Sequence, residues 1–279
     1  MAKKYERLGV MIDMSRNAVM SISGLKRFLP LLKKMGYNMV LFYMEDTYEV
    51  IDEPYFGYMR GRYSIAEMKE LDAFATSLGI EIIPCIQTLA HLATATRWPD
   101  FAGYIDIDDV LMVGDERTYK FVEAAISVCR ECFRSGRVNL GMDEAWRIGR
   151  GTYLDKTGQV PRSDILCDHL GRVVEICKKH DVEPMIWSDM FWAFAVESEN
   201  SNDNNFNLEK MLIKPDAVLS LDKIILSNLT DYQKSLLTRL AYIDIDFKEF
   251  QSLKKKDTTR TISTLKSLII LLFKSSLAL

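Results

Sequence analysis

Over the first two thirds of the chain, short and nearly continuous apolar runs alternate with stretches in which apolar residues recur at helical spacing. The runs are residues 9–13 (GVMID), 38–46 (NMVLFYMED), 81–88 (EIIPCIQT), 138–144 (VNLGMDE) and 183–189 (EPMIWSD). Continuous rather than alternating apolarity is the signature of strands covered on both faces. Between them, Leu25, Phe28, Leu29, Leu32 and Met35 follow one another before Gly36, and Met68, Leu71, Ala75 and Leu78 before Gly79. The same spacing recurs at Tyr119, Val122, Ile126, Cys129 and Phe133, and again at Leu166, Leu170, Val173 and Cys177. Each set predicts a helix laid against a sheet, and the two glycines are plausible C-terminal stops. The rhythm predicts an α/β fold with a parallel sheet.

The runs end in polar, potentially reactive side chains: Asp13, Glu45 with Asp46, His91 after a short turn, Asp143 with Glu144, and Asp189. In a (β/α)8 TIM-type barrel the C-terminal strand ends converge on one mouth, where active sites sit. An Asp after a strand is also a common turn former or helix N-cap. Five such endings together favour the shared mouth.

The pattern changes further along. All 14 glycines lie at or before Gly171 and all four tryptophans at or before Trp192, while 197–207 (ESENSNDNNFN) is a polar run that reads as a linker or long loop. Residues 216–222 and 240–245 could be further strands, ahead of a basic patch at 254–256 and an apolar tail. We therefore expect a barrel portion over 1–195 and a divergent segment over 196–279, which either completes the barrel or leaves it irregular after the fifth or sixth strand.

Composition narrows the partners. With 36 basic and 39 acidic side chains in 279 residues, a formal charge of -3 gives no electrostatic reason to bind nucleic acid or an anionic membrane. The N-terminal residues lack a secretory pattern, and the 265–279 stretch is interrupted by Lys274 and is shorter than the roughly 20 residues needed to span a bilayer. Five scattered cysteines are no disulfide framework, so a cytoplasmic location is expected. Cys129 and Cys132, with Cys177 and His180, have the makings of a zinc site, but both members of the C-x-x-C lie in an apolar helical stripe, where core packing explains them better. Arg60 and Arg62, with Tyr58 and Tyr63, read as a solvated loop in preference to an anion site.

Asp143 and Glu144 are the sharpest feature. Neighbours in a regular strand point to opposite faces, so two adjacent carboxylates can share a pocket only if the backbone leaves strand geometry there, and Gly141 could allow it. Two carboxyls held together do not both ionise freely; one should have a raised pKa, as a general acid requires. The plainer reading is an ion-paired Asp followed by a solvated Glu opening a loop.

The run Asn139-Leu140-Gly141-Met142-Asp143-Glu144-Ala145 resembles the motif that closes the fourth barrel strand in family 20 glycoside hydrolases, the β-N-acetylhexosaminidases. The resemblance covers roughly residues 7–192. It takes in Asp13-Met14-Ser15-Arg16-Asn17, the 38–46 run, 79–91 (GIEIIPCIQTLAH) and Trp187, while 56–63 (FGYMRGRY) looks like a bacterial branch of the family. The resemblance implies a barrel fold and substrate-assisted retaining hydrolysis of terminal β-linked N-acetylhexosamine, GlcNAc or GalNAc, with no metal or organic cofactor. It implies Glu144 as acid and base, and Asp143 as the group that orients the acetamido substituent. It further implies Asp13, Arg16, Asp46, His91, Trp187 and Asp189 as substrate-binding or tuning residues. Tyr43 stands where the better-known members have a histidine, and the Tyr and Trp residues of the family's later strands have no counterpart after Trp192. Two readings follow: an active amino-sugar glycosidase, or a catalytically impaired relative, truncated or divergent at its C-terminus, that binds amino sugars.

Overall fold

The computed structural model describes residues 7–16, 19–187, 189–190 and 193–194. Its elements run, in chain order, β1 (Gly9–Asp13), α1 (Ile22–Lys34), β2 (Met39–Tyr43), α2 (Ile65–Ser77), β3 (Glu81–Cys85), α3 (Ala93–Thr96), a 3-10 turn (Pro99–Tyr104), β4 (Ile105–Ile107), β5 (Val110–Leu111), α4 (Glu116–Cys132), β6 (Arg137–Asn139), α5 (Thr152–Thr157), α6 (Arg162–Lys179) and β7 (Glu183–Met185). The five predicted strands and four predicted helices are all present. The β4–β5 hairpin, α3 and α5 are additions that short, polar-rich segments did not announce. The stretches 197–207, 216–222, 240–245 and 254–256 lie outside the described residues.

Local chemistry starts the helices cleanly. Ser21 Oγ accepts from Gly24 N–H at the start of α1, and Ser64 and Glu67 form a reciprocal capping box at α2. Asp115 accepts from Arg117 N–H at α4. Their apolar stripes, including Leu25 and Leu29, Met68 and Leu71, Val122 and Ile126, and Leu166 and Val173, are buried in one continuous core.

β1, β2, β3, β6 and β7 form a single parallel sheet in that order. The register sets the site. Asp13 pairs with Tyr43, Tyr43 with Cys85, Cys85 with Asn139, and Asn139 with Met185, so the five strands stop along one row. Paired residues share a face, and residues leaving each strand emerge side by side. Val40 and Phe42 on β2 are buried, whereas Leu41 and Tyr43 are only partly covered and Met11 on β1 is 38% exposed. The sheet is thus packed by helices on one face and incompletely covered on the other by the described residues. Cys129, Cys132 and Cys177 are buried in the core, as core packing of the C-x-x-C has it, and among the described residues no group of three or more His, Cys, Asp or Glu side chains is arranged to hold a metal ion.

Candidate active site

The strands are shorter than the apolar runs because the chain leaves the pleat just where the polar residues begin. After β6, Gly141, Met142 and Glu144 take φ values of 72°, 69° and 54°. Left-handed backbone at a Met and a Glu is locally unfavourable for L-residues, and it is what brings both adjacent carboxylates near one imidazole. His91, itself at φ 57°, places Nε2 3.3 Å from Asp143 Oδ2 and 3.4 Å from Glu144 Oε2. Both are ion-pair distances, in line with neither oxygen. The Asp143 carboxylate beside it raises His91 above the ordinary imidazole value, with Glu144 and Glu45 adding to the effect and burial opposing it.

Asp143 is half-buried, its side chain 20% exposed. Desolvation would raise its carboxyl, but contacts from His91 and Gln87 hold it below the usual range. Gln87 was missed by the sequence reasoning, because an amide within an apolar run carries no titratable signal. Fully buried, it donates through Nε2 to Asp143 Oδ1 (2.9 Å) and to Tyr43 OH (3.1 Å). Glu144 differs: its side chain is 64% exposed, and its own N–H reaches Asp189 Oδ2 at 3.4 Å.

Of the adjacent pair, Asp143 is the lowered carboxyl. Carboxyls raised by burial stand at Asp189 and at the tip of β2. Glu45, with 6% of its side chain exposed, is raised by burial even though Arg16 pairs with it at 2.9 Å and Tyr43 OH approaches at 3.3 Å. Asp46, 2% exposed, is likewise raised by burial against the opposing pull of Arg60, whose Nε lies 3.0 Å from it. Arg60 also donates to Ser15 O, and Tyr63 is buried, so these two pack inward, while Tyr58 is exposed as a solvated loop would have it. Of the two β2 acids it is Glu45 that acts electrostatically on His91, while Asp46 is engaged by Arg60. The pair alternates in direction, and only the structure shows which member faces the histidine.

Asp13 lies at the exposed end of β1. Desolvation acts to raise it, but the Ser15 N–H (2.8 Å), the Ser15 hydroxyl (2.7 Å) and the Arg16 N–H (3.3 Å) hold it below the ordinary value. It shapes the turn that carries Arg16 to Glu45. Trp187, partly exposed, is tied to the Asp-Glu segment by its N–H to Gly141 O at 3.2 Å. Asp13, Arg16, Asp46, His91, Asp143, Glu144, Trp187 and Asp189 therefore all lie along the row of strand tips.

Two further supports went unnoticed in the sequence. Asp106 in the β4–β5 hairpin is buried and accepts from the N–H groups of Gly149 (2.6 Å), Gly151 (3.2 Å) and Tyr153 (2.8 Å), fastening the segment after the Asp-Glu pair. His169 on α6 is fully buried, its pKa pushed down to about 4 chiefly by desolvation, and its Nε2 contacts Thr88 O at 2.9 Å. A neutral ring with its proton on Nε2 satisfies that carbonyl and braces the stretch between Gln87 and His91. A hollow of 430 Å³ lined by Asn38, Asp72, Glu81 and Arg134 lies at the opposite ends of the strands, away from these groups.

No family model matches the chain. Among curated proteins it is 28% identical to Hexosaminidase D of Bos taurus over 180 residues, covering 60% of this chain and 51% of the bovine one. It is 26% identical to Hexosaminidase D of Homo sapiens over 189 residues, covering 63% of this chain and 38% of the human one. The chain thus spans about half the length, or less, of these relatives. Among solved structures it matches the chitobiase of Flavobacterium johnsoniae (TM-score 0.58, 18% identity, 67% of this chain and 32% of that one). It also matches the N-acetyl-β-hexosaminidase of Streptomyces plicatus in complex with Thio-NAglucal (TM-score 0.54, 20% identity, 67% and 40%). The parallel sheet and helices of the described region are a portion of the barrel fold those structures share.

Proposed function

We propose that the protein is a glycoside hydrolase that removes terminal β-linked N-acetylhexosamine by substrate-assisted, retaining catalysis. The observation that carries this reading is the division of labour between adjacent carboxylates: Asp143 clamped and held ionised, Glu144 free to meet solvent and substrate. Such a pair suits a reaction in which one group exchanges a proton while the other stays anionic beside a forming cation. In the first step the acetamido oxygen of the substrate bonds to the anomeric carbon as the glycosidic C–O bond breaks. The departing oxygen takes the Glu144 proton, and the resulting oxazolinium ion lies against Asp143. In the second, Glu144 as carboxylate removes a proton from water, which attacks the anomeric carbon and restores the β-configuration and the acetamido group. The scheme departs from the usual two-carboxylate mechanism because the nucleophile belongs to the substrate, and it calls for no metal or organic cofactor.

Arg16, Asp13 and Asp46 with its neighbour Glu45 are proposed to meet sugar hydroxyls or to hold the groups that do. Trp187 is proposed as an apolar wall for the ring, and Asp189 as support for the acid through its contact with the Glu144 N–H. His91 is proposed to couple the charge of the two carboxylates. The Hexosaminidase D relatives support the activity, and the Streptomyces plicatus enzyme has been solved with GlcNAc as product. The cysteines among the described residues are all free, which fits a reducing compartment such as the cytoplasm, and no described helix is long and apolar enough to cross a membrane.

The test is release of the aglycone from an aryl N-acetyl-β-hexosaminide by the purified full chain, with Glu144→Gln as control. Release that persists in the control overturns the assignment. A protein that releases nothing, and binds a thiazoline mimic of the intermediate no better than GlcNAc, is the impaired amino-sugar-binding relative.

A further inference from the structure

We propose that Gln87 is a positioning residue whose side-chain amide imposes one direction of hydrogen bonding on the site, keeping Asp143 an acceptor toward the substrate acetamido group. The inference rests on the hexosaminidase reading above and adds a residue to it.

The geometry is closed on itself. An amide nitrogen has two hydrogens, and both are used, one toward Asp143 Oδ1 at 2.9 Å and one toward Tyr43 OH at 3.1 Å. Tyr43 must then accept, which frees its own proton for Glu45 Oε1 at 3.3 Å. The amide oxygen of Gln87 is buried and has no partner. Turning the amide over would leave the nitrogen without Asp143 or Tyr43 and bring that oxygen against an ionised carboxylate, two acceptors face to face. An orphaned acceptor is the smaller penalty, and the orientation that tolerates it keeps Asp143 Oδ1 an acceptor, which favours the carboxylate over the protonated acid.

Gly141 makes room for the arrangement. A Cβ there would collide with the Gln87 amide and with Ile86 O, at a backbone φ of 72°. The groups that face Asp143 are His91 on the loop after β3, the buried Cys85 thiol at the tip of β3, and Tyr43 on β2, behind which lie Glu45 and its partner Arg16. Glu144 adjoins it in sequence, and Asp189 faces it from beyond β7. Among the described residues, Gln87 is the side chain that hydrogen-bonds the Asp143 carboxylate, with His91 at ion-pair distance. The amide supplies a hydrogen bond whose direction does not titrate.

The experiment has a part that needs no activity. In wild-type full chain, the Gln87 side-chain amide protons should exchange slowly with solvent, and their NMR shifts should move at the pH where a carboxyl-13C signal of Asp143 titrates. Rapid exchange, or amide shifts blind to that titration, overturns the inference. In Gln87→Met, near in size and without the donors, the Asp143 midpoint should rise by about one pH unit. The acid limb of kcat/KM should rise with it, and kcat should fall roughly tenfold with a smaller change in KM. Gln87→Glu keeps the shape and sets a second acid beside Asp143, so it should displace the midpoint upward as well. Midpoints unmoved in folded variants overturn the inference while wild-type hydrolysis upholds the enzyme reading. A wild type without hydrolysis sinks the enzyme reading, and the amide measurements still decide the role of Gln87.

Discussion

Asp143 and Glu144 share a peptide bond, yet they belong to two different environments. On the Asp143 side, Glu45, Tyr43, Gln87 and His91 are linked through that carboxylate by ion-pair contacts and hydrogen bonds, Asp46 is held separately by Arg60, and the β2 acids are almost wholly enclosed. On the Glu144 side, the acid and the 48% exposed Trp146 meet water; the Glu144 carboxylate reaches His91 at 3.4 Å and the Glu144 N–H makes a long contact to Asp189. In the proposed reaction the contrast separates two needs. A group that must remain charged and in place can be built entirely from neighbours along the strand tips. A group that must give and take a proton has to reach solvent or substrate, and local packing contributes little to holding it.

The contrast can be broken most directly at the pair itself. Asp143→Asn and Glu144→Gln should each lower kcat/KM for an aryl N-acetylhexosaminide by about 10²- to 10⁴-fold, while only the first should lower stability. Asp143→Asn removes the charge opposite His91 and should cost about 1–3 kcal/mol by chemical denaturation; Glu144→Gln should stay within about 0.5 kcal/mol. Equal stability losses would erase the distinction between the two environments.

Next in size is the ion pair beneath the enclosed side. Arg60→Ala strands the buried Asp46 carboxylate and should destabilise by about 3 kcal/mol. Arg147→Ala breaks an exposed pair with Asp108 and should cost less than about 0.5 kcal/mol. Comparable melting points for the two variants would show that enclosure at the β2 tip contributes nothing.

The smallest effect is a pH signature. His91 is raised from an ordinary value of 6.5, so its contribution is complete below that pH and is lost as pH rises through the folded value. Asp143 is lowered from 3.8, so its contribution is present above 3.8 and is lost as pH falls through the folded value. The two overlap between about pH 4 and 6.5, where the wild type should exceed His91→Ala by about 1 kcal/mol more than it does at pH 9. A difference between the two proteins that is flat across pH would remove the His91–Asp143 coupling from the account.

Legibility in the sequence divided along similar physical lines. β1 coincides with its apolar run because Asp13 ends both the pattern and the pleat. The 38–46 and 81–88 runs overshoot β2 and β3, since apolar residues such as Met44 and Ile86 continue into loops that are themselves core. The Asp-Glu pair stood out because two adjacent acids ending an apolar run are chemically conspicuous. Gln87, Asp106 and His169 did not, because their roles depend on partners 40 or more residues away whose placement follows from strand register. Between Glu45 and Asp46 the choice turns on where regular alternation ends, a matter of one peptide unit that composition does not encode.

The left-handed backbone at Glu144 has a consequence for how such a chain drifts over generations. Glycine or asparagine would relieve a conformation that costs an ordinary L-residue about 1 kcal/mol. Replacement of this acid would thus be rewarded by folding alone, and a lineage relieved of the proposed chemistry could discard the proposed proton donor and become sturdier for it. At this one position the proposed chemistry and the ease of folding pull in opposite directions.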